Sequence, residues 1–265
     1  MCELNYIEKN KAAWNSRTNH HFNSSFYDVE GFLKGKNSLN DIELKLLNHV
    51  EGKNILHLQC HFGQDTISLA RMGANVTGVD LSDNAINKAV ELSARANVNT
   101  TFICCDIYEL PRYLDKEFDF VFSSYGTIGW FPNLDKWAAI ISKFLKPDGK
   151  FIFAEFHPVV WMFDNEFEKV IYTYSKSEPI IEVEEGTYAD RSAPITTEMI
   201  TWNHSISEVI TSLLQQGLEL NFFKEYDYSP YNCFSKTIEF EPGKFRIEHF
   251  GNKIPMVYAL SATKK

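Results

Sequence analysis

The chain has 265 residues, 44% of them apolar and 21 of them Phe, so it can bury roughly three quarters of the surface it would expose unfolded, and disorder as the main state is excluded. Thirteen Gly and nine Pro follow no Gly-X-Y period, and no heptad pattern is sustained, which removes collagen-like and long coiled-coil architectures. A net charge of −9, from 26 Lys and Arg against 35 Asp and Glu with no dense basic stripe, argues against a protein that tracks phosphates along a nucleic acid.

The first residues, Met1-Cys2-Glu3-Leu4-Asn5-Tyr6, have neither a basic stretch nor an apolar one after it, and no uncharged apolar run reaches the 18 or so residues of a membrane span. Five cysteines is an odd count, Cys104 and Cys105 are adjacent, and no Cys/His cluster has zinc spacing. The expectation is a cytoplasmic protein with reduced thiols and no metal. Residues 1–52 carry Trp14, Arg17, His20, His21, Phe26 and Tyr27 and then a helix over about 41–50.

From residue 53 the pattern alternates apolar runs with 3.6-residue periodicity, as βαβ units do. Residues 54–60 (N-I-L-H-L-Q-C) predict a buried strand, followed by a loop at Gly63 and a helix over 65–72 that stops at Gly73. Residues 75–80 (N-V-T-G-V-D) predict the second strand, and Ser82 with Asp83 caps a helix whose Ile86, Ala89, Val90 and Ala94 share one face. Strands follow over 101–106 and 118–123; Asn133 caps a helix carrying Trp137, Ile140, Ile141, Phe144 and Leu145, and 150–156 is the fifth strand. About 45 residues, 158–204, then intervene and hold Trp161, Phe163, Tyr172, Tyr174, Tyr188 and Trp202. Loops of that length in a compact α/β domain are usually lids or binding elements. Ser205 and Glu208 form a capping box before a helix that ends at Gly217, and 218–226 and 255–262 supply two late strands. The fold class is therefore α/β: a Rossmann-like, doubly wound sheet of about seven strands with helices on both faces.

Ligands of such sheets bind beyond the carboxyl ends of the strands at the switch point, so the strand ends carry the functional information. The first strand runs into Gln59-Cys60-His61-Phe62-Gly63-Gln64-Asp65-Thr66, where Gly63 lets backbone approach a ligand and the following helix presents free N–H groups. The second ends in Asp80, twenty residues beyond Cys60, the separation at which a carboxylate accepts both hydroxyls of a ribose held over the first turn. The third ends in Asp106, placed to meet an exocyclic amine with Ile107 beside the ring. A lone strand-end Asp is more often a turn or cap residue; two in register with the Gly63 loop favour a ligand. His57 alternates with Leu56 and Leu58 and reads as a hydrogen-bonded interior histidine.

At these residues the chain resembles a class I S-adenosylmethionine-dependent methyltransferase, of the bacterial small-molecule (type 11/12-like) kind. The likeness is carried by residues 56–66, Asp80, Asp106 and Leu145-Lys146-Pro147-Asp148-Gly149-Lys150 and covers about 40–160. It implies a seven-stranded sheet with the last strand antiparallel, a methyltransferase domain over 53–265 with an insertion at about 158–204, and an N-terminal helical lid over 1–52. It also implies transfer of a methyl group from S-adenosylmethionine to the O, N or S of a small-molecule acceptor. The cofactor set is then Gln59, Cys60, His61, Gly63, Asp65, Thr66, Asp80, Leu81, Ser82, Asp106, Ile107 and Ser124, with Arg17 as a partner for the methionine carboxylate or an acidic acceptor. Candidates for removing an acceptor proton are His157, Tyr125 and His21.

The family's first motif is an acid followed by three glycines at alternate positions, and this chain reads His57, Gln59, His61 and Gly63 there. Two other readings follow from the strand-turn-helix and this altered loop: a nicotinamide-dependent oxidoreductase, which would want Gly-x-Gly-x-x-Gly in the first turn, and a catalytically silent nucleoside-binding protein.

Overall fold

The computed structural model describes residues 5–265; residues 1–4, with which the N-terminal segment begins, lie outside the described residues. The chain opens with helices α1 (Tyr6–Asn23), α2 (Val29–Leu33) and α3 (Asp41–Leu44). The helix expected over 41–50 is thus a single turn, closed by a capping box between Asn40 and Glu43.

The alternating region forms β1 (Asn54–Leu58), α4 (Gln64–Arg71), β2 (Asn75–Asp80), α5 (Asp83–Arg95), β3 (Thr101–Cys104), β4 (Phe118–Ser124), α6 (Leu134–Phe144) and β5 (Leu145–Phe156). Ser82 and Asn133 cap α5 and α6 as their sequence positions require, accepting from the N–H groups of Ala85 and Lys136. The buried face of α5 is Ala85, Ile86, Ala89, Leu92 and Ser93, so Val90 and Ala94, expected on that face, are exposed. After β5 come a pair, β6 (Ile180–Glu185) and β7 (Thr196–Thr201), then α7 (Ile206–Gln215), β8 (Leu218–Tyr226), a second pair, β9 (Thr237–Glu241) and β10 (Lys244–Ile247), and finally β11 (Val257–Lys264).

The main sheet has seven strands in the order β3-β2-β1-β4-β5-β11-β8. β1 pairs in parallel with β2 and β4, while β11 runs antiparallel to both its neighbours, β5 and β8, so the last strand in sequence is the reversed one. The central strands are buried on both faces, as parallel sheets require. Leu56, Val121, Phe151 and Phe153 point into a core with Trp137, Ile141 and Phe144 of α6 and Val209 and Leu213 of α7. Ile55, Phe120, Phe122 and Ile152 point the other way, against Leu69 of α4 and Leu39, Leu47 and Val50.

The excursions from this frame gather at one end of the sheet. The insertion expected as a long loop contains the β6–β7 pair, and Asn10 of α1 clasps β7 by donating to the Ile200 carbonyl at 2.8 Å and accepting its N–H at 2.9 Å. Asn15 of α1 meanwhile accepts from the Ser82 hydroxyl at 2.6 Å and donates to the Asn84-adjacent Asp83 carboxylate at 3.0 Å. The N-terminal helix is thereby tied to the β6–β7 pair and to the start of α5. Phe22 and Phe32 from the same segment share a core cluster with Phe62, Ile67 and Leu92.

Candidate active site

A cavity of about 1260 Å³ lies at the carboxyl ends of β1, β2, β3 and β4, roofed by α1, by the β6–β7 pair and by the segment around Tyr231. That exceeds the 300–1,000 Å³ usual for a single drug-sized ligand. Of the residues expected to bind a cofactor, Gln59, Cys60, His61, Gly63, Asp65, Asp80, Leu81, Asp106, Ile107, Ser124 and Arg17 all line it.

The turn after β1 keeps the shape of a glycine-rich loop without its glycines. Gln59 and His61 adopt φ of 55° and 49°, and Gly63, which caps α4, 79°. The left-handed backbone costs a non-glycine residue roughly 1–2 kcal/mol, so neighbouring contacts must hold Gln59 and His61 in place. Gln59 Nε2 donates to the Thr127 carbonyl at 2.7 Å, His61 N–H donates to Asp80 Oδ2 at 2.8 Å, and the His61 ring meets His21 of α1 at 3.0 Å between Nε2 and Nδ1. Gly63 is required for a second reason besides its φ: a Cβ there would stand 2.8 Å from the Phe102 ring and 3.0 Å from Ala89. The glycine therefore serves helix-to-sheet packing at least as much as the approach of backbone to a ligand.

Asp80 accepts from Ser82 N–H at 2.9 Å as well as from His61, and burial still raises its carboxyl to about 6. Asp106 is one step less committed: its Oδ1 caps the short helical turn over Ile107–Arg112 by accepting from Tyr108 N–H at 3.0 Å. With Leu81 and Ile107 also lining the cavity, the two acids have apolar neighbours on the side where a ring would lie. Gln59 Oε1 is buried and has no partner, an acceptor beside the turn.

Thr66 and Ser82, expected in the binding set, are structural. Thr66 Oγ1 holds His57 Nδ1 at 2.8 Å beneath the turn, which fixes His57 as the interior histidine its strand position indicated, and burial lowers that ring's pKa to about 3. Ser82 caps α5 and neither residue lines the cavity. Arg17 lines it, but its guanidinium is taken: a buried cation needs a counter-ion, and Glu184 of β6 supplies one, with Thr197 Oγ1 at 3.1 Å.

The proton-accepting candidates fare worse. His157 stands outside the cavity, its Nδ1 accepting from Val159 N–H at 3.2 Å and its Nε2 paired with Glu225 at 2.9 Å, so it caps a turn and joins β5 to β8. His21 is fully buried, and its desolvation and the neighbouring His61 depress its pKa to about 2, so it cannot take a proton near neutrality. Its ring instead stacks on Tyr27 and props His61. Tyr125 does face the cavity, in left-handed backbone just beyond β4, and donates to Glu43 Oε2 at 2.7 Å.

Two carboxylates of the site were not singled out by sequence. Glu155, at the end of β5 and 1% exposed, accepts the N–H groups of Thr127 (2.7 Å), Ile128 (3.2 Å), Phe156 (2.7 Å) and Gly126, fixing the loop whose Thr127 carbonyl holds Gln59. Its signal was a charge closing the apolar run Phe151-Ile152-Phe153-Ala154. Glu43 sits wholly buried behind Tyr125, accepting Asn40 N–H at 2.7 Å, and burial pushes its carboxyl up to about 7. Nothing in its sequence context marked it.

Comparison with known proteins bears on this geometry. Residues 55–149 match the family model described as a methyltransferase domain. The chain therefore carries a methyltransferase domain over those residues. A curated relative, ubiquinone biosynthesis O-methyltransferase of Coxiella burnetii, is 24% identical over 184 residues, 68% of this chain and 75% of that one. Among solved structures, an S-adenosylmethionine-dependent methyltransferase from Clostridium acetobutylicum superposes with a TM-score of 0.58 at 15% identity, covering 96% of this chain and 98% of that one. A structure titled for conversion of a disulfide bond into a thioacetal group during echinomycin biosynthesis gives 0.58 at 15% identity over 98% and 93%. At such identities the solved structures share the fold with this chain. The nicotinamide oxidoreductase reading finds no support in the family match.

Proposed function

We propose that this methyltransferase moves a methyl group from S-adenosylmethionine to a small-molecule acceptor enclosed with it in the one cavity. The observation that carries the reading is that Asp80, Asp106 and the left-handed Gln59-to-Gly63 turn all open on that cavity at the strand ends. Relatives named for ubiquinone biosynthesis and for echinomycin biosynthesis support a small-molecule acceptor.

Asp80 would accept the ribose hydroxyls and Asp106 the adenine amine, with Leu81 and Ile107 against the ring; Gln59, through its unpartnered Oε1, would accept from the methionine ammonium. The bound cofactor supplies a methyl group on a sulfonium, open to in-line displacement without a covalent enzyme intermediate. The chain's part is to align and to exclude water. Trp14, T-shaped against His61 at 5.2 Å and against Trp130 at 5.4 Å, closes the cavity over the turn. Residues 5–52 thereby act as a cover, an integral one, since Asn10, Asn15 and Phe22 bind it to the domain. Tyr125 turns its ring to the acceptor side, with its hydroxyl given to Glu43 behind it.

Titration calorimetry decides the reading: S-adenosylhomocysteine should bind with a Kd near or below micromolar, roughly 8 kcal/mol, and NAD should give no heat. The opposite pattern removes the assignment.

A further inference from the structure

The acceptor end of the cavity has a definite chemical character. Four aromatic rings from four separate segments meet there: Phe26, Tyr125, Tyr188 and Tyr231. Tyr125 and Tyr231 stand 5.1 Å apart at 81°, Phe26 lies 5.9 Å from Tyr231, and Phe26 and Tyr188 are 5.5 Å apart. Asp65, at the start of α4, lines the same cavity; burial raises its carboxyl, and its polar neighbours are two neutral hydroxyls, Ser38 and Ser124. Its charge bears on Tyr27, Tyr125 and Tyr231 and on Glu43 behind them.

Two of the cations that line the cavity are paired elsewhere, Arg17 with Glu184 and Lys36 with Asp28 at 3.1 Å; Arg191, which also lines it, is exposed and lies near Glu184. The β6 strand adds carboxylates to the same cavity: Glu182, Glu184 and Glu185 line it beside Ile180 and Val183, with Arg17 paired to Glu184 and the Tyr172 hydroxyl donating to Glu182 at 2.9 Å.

We propose that the acceptor is an organic amine on an apolar or aromatic body, its nitrogen held among Phe26, Tyr125, Tyr188 and Tyr231 with Asp65 as counter-charge. This rests on the methyltransferase reading and deepens it. Tyrosine faces attract ammonium groups, and Asp65 gains the cationic partner it otherwise lacks. A carboxylate acceptor would bring its charge up against Asp65 and Glu182, and a neutral phenol would leave Asp65 buried among hydroxyls. The bound ammonium gives one proton to Asp65; the freed lone pair forms the new nitrogen–carbon bond as the carbon–sulfur bond breaks and its electron pair stays on sulfur. The product is the methylated ammonium and S-adenosylhomocysteine, and the proton on Asp65 leaves with solvent on opening.

The test is a thermal-shift titration of the full chain saturated with S-adenosylhomocysteine, using 2-phenylethylamine, 3-phenylpropanol and 3-phenylpropionate as probes. The amine alone should raise the unfolding midpoint further, and Tyr231→Leu should weaken it roughly tenfold or more while leaving the S-adenosylhomocysteine shift intact. Asp65→Asn should weaken the amine to at least the same degree, and it replaces Tyr231→Leu if that variant does not fold. No amine shift in the wild type, an equal or larger shift from the alcohol or the carboxylate, or loss of the S-adenosylhomocysteine shift in Asp65→Asn overturns the proposal. The last outcome would place Asp65 at the cofactor. Absence of any S-adenosylhomocysteine shift in the wild type would instead remove the methyltransferase reading beneath it.

Discussion

Asp80 accepts the backbone N–H groups of His61 and Ser82 with its two oxygens, so it both holds the left-handed turn in shape and faces the cavity. Asp106 orders only Tyr108 N–H. Removing Asp80 should therefore cost the cofactor more than removing Asp106: Asp80→Ala is expected to weaken S-adenosylhomocysteine by about 1.5–3 kcal/mol, roughly 10- to 100-fold, and Asp106→Ala by less. Calorimetry on both variants checks the ranking, and equal losses would mean that the ribose is held elsewhere. Glu43 gives a second test at this scale. Its carboxyl titrates near 7 in the folded chain against an ordinary 4.5, so the folded state keeps a proton that the unfolded chain has released. Its contribution is fully present below about 4.5 and lost as the pH rises through 7. Glu43→Gln does not titrate, so the wild type should gain stability relative to it as the pH falls from 8 to 5. Urea unfolding at pH 8, 6.5 and 5 reads this directly; a constant difference would show that Glu43 is ionised throughout.

Helix α1 has little apolar patterning to anchor it, and the residues it buries include Asn10, Arg17, Thr18 and His21. Its attachment is instead polar and specific: Asn10 to both backbone groups of Ile200, Arg17 to Glu184, Asn15 to the start of α5. Such an element is hard to place from sequence, because hydrophobic periodicity carries the signal and here the buried face is amide, guanidinium and imidazole. The strands and helices from β1 to β5, by contrast, follow from apolar runs and the caps Ser82 and Asn133, and they appear where the pattern put them except that Leu145, expected on α6, begins β5. Asp80 and Asp106 were legible for the same reason, since a strand end fixes what stands there, while Tyr231 and Glu182 reach the cavity, and Glu43 reaches Tyr125, only through long-range packing. Asn10→Ala should leave the Ile200 N–H and carbonyl unpaired and lower stability by about 1–3 kcal/mol, with S-adenosylhomocysteine affinity held within roughly tenfold. Denaturation and calorimetry on one sample check both; an unchanged unfolding midpoint would mean that α1 is held by its apolar contacts alone.

At the scale of the molecule, the matched family region, 55–149, supplies the floor of the cavity, and segments outside it supply the roof. Trp14 and Arg17 come from α1, Glu182 and Glu184 from β6, and Tyr231 from the stretch between β8 and β9. All three segments stand over the cavity, so whatever binds there meets roof and floor together. A ligand that binds only the native, closed form stabilises it by about 2.7 kcal/mol at a hundred times its Kd, and that stabilisation is felt by every element whose opening releases the ligand. Hydrogen exchange with S-adenosylhomocysteine should therefore slow amides in residues 10–27 and 180–201, remote in sequence from Asp80 and Asp106, as well as those of 59–63 and 80–82. Among the roof elements α1 should respond most, because His21 bears on His61 and Asn15 on Ser82, both beside Asp80. Protection confined to 59–63, 80–82 and 106–107 would show a roof that moves independently of the cofactor and closes on the acceptor alone.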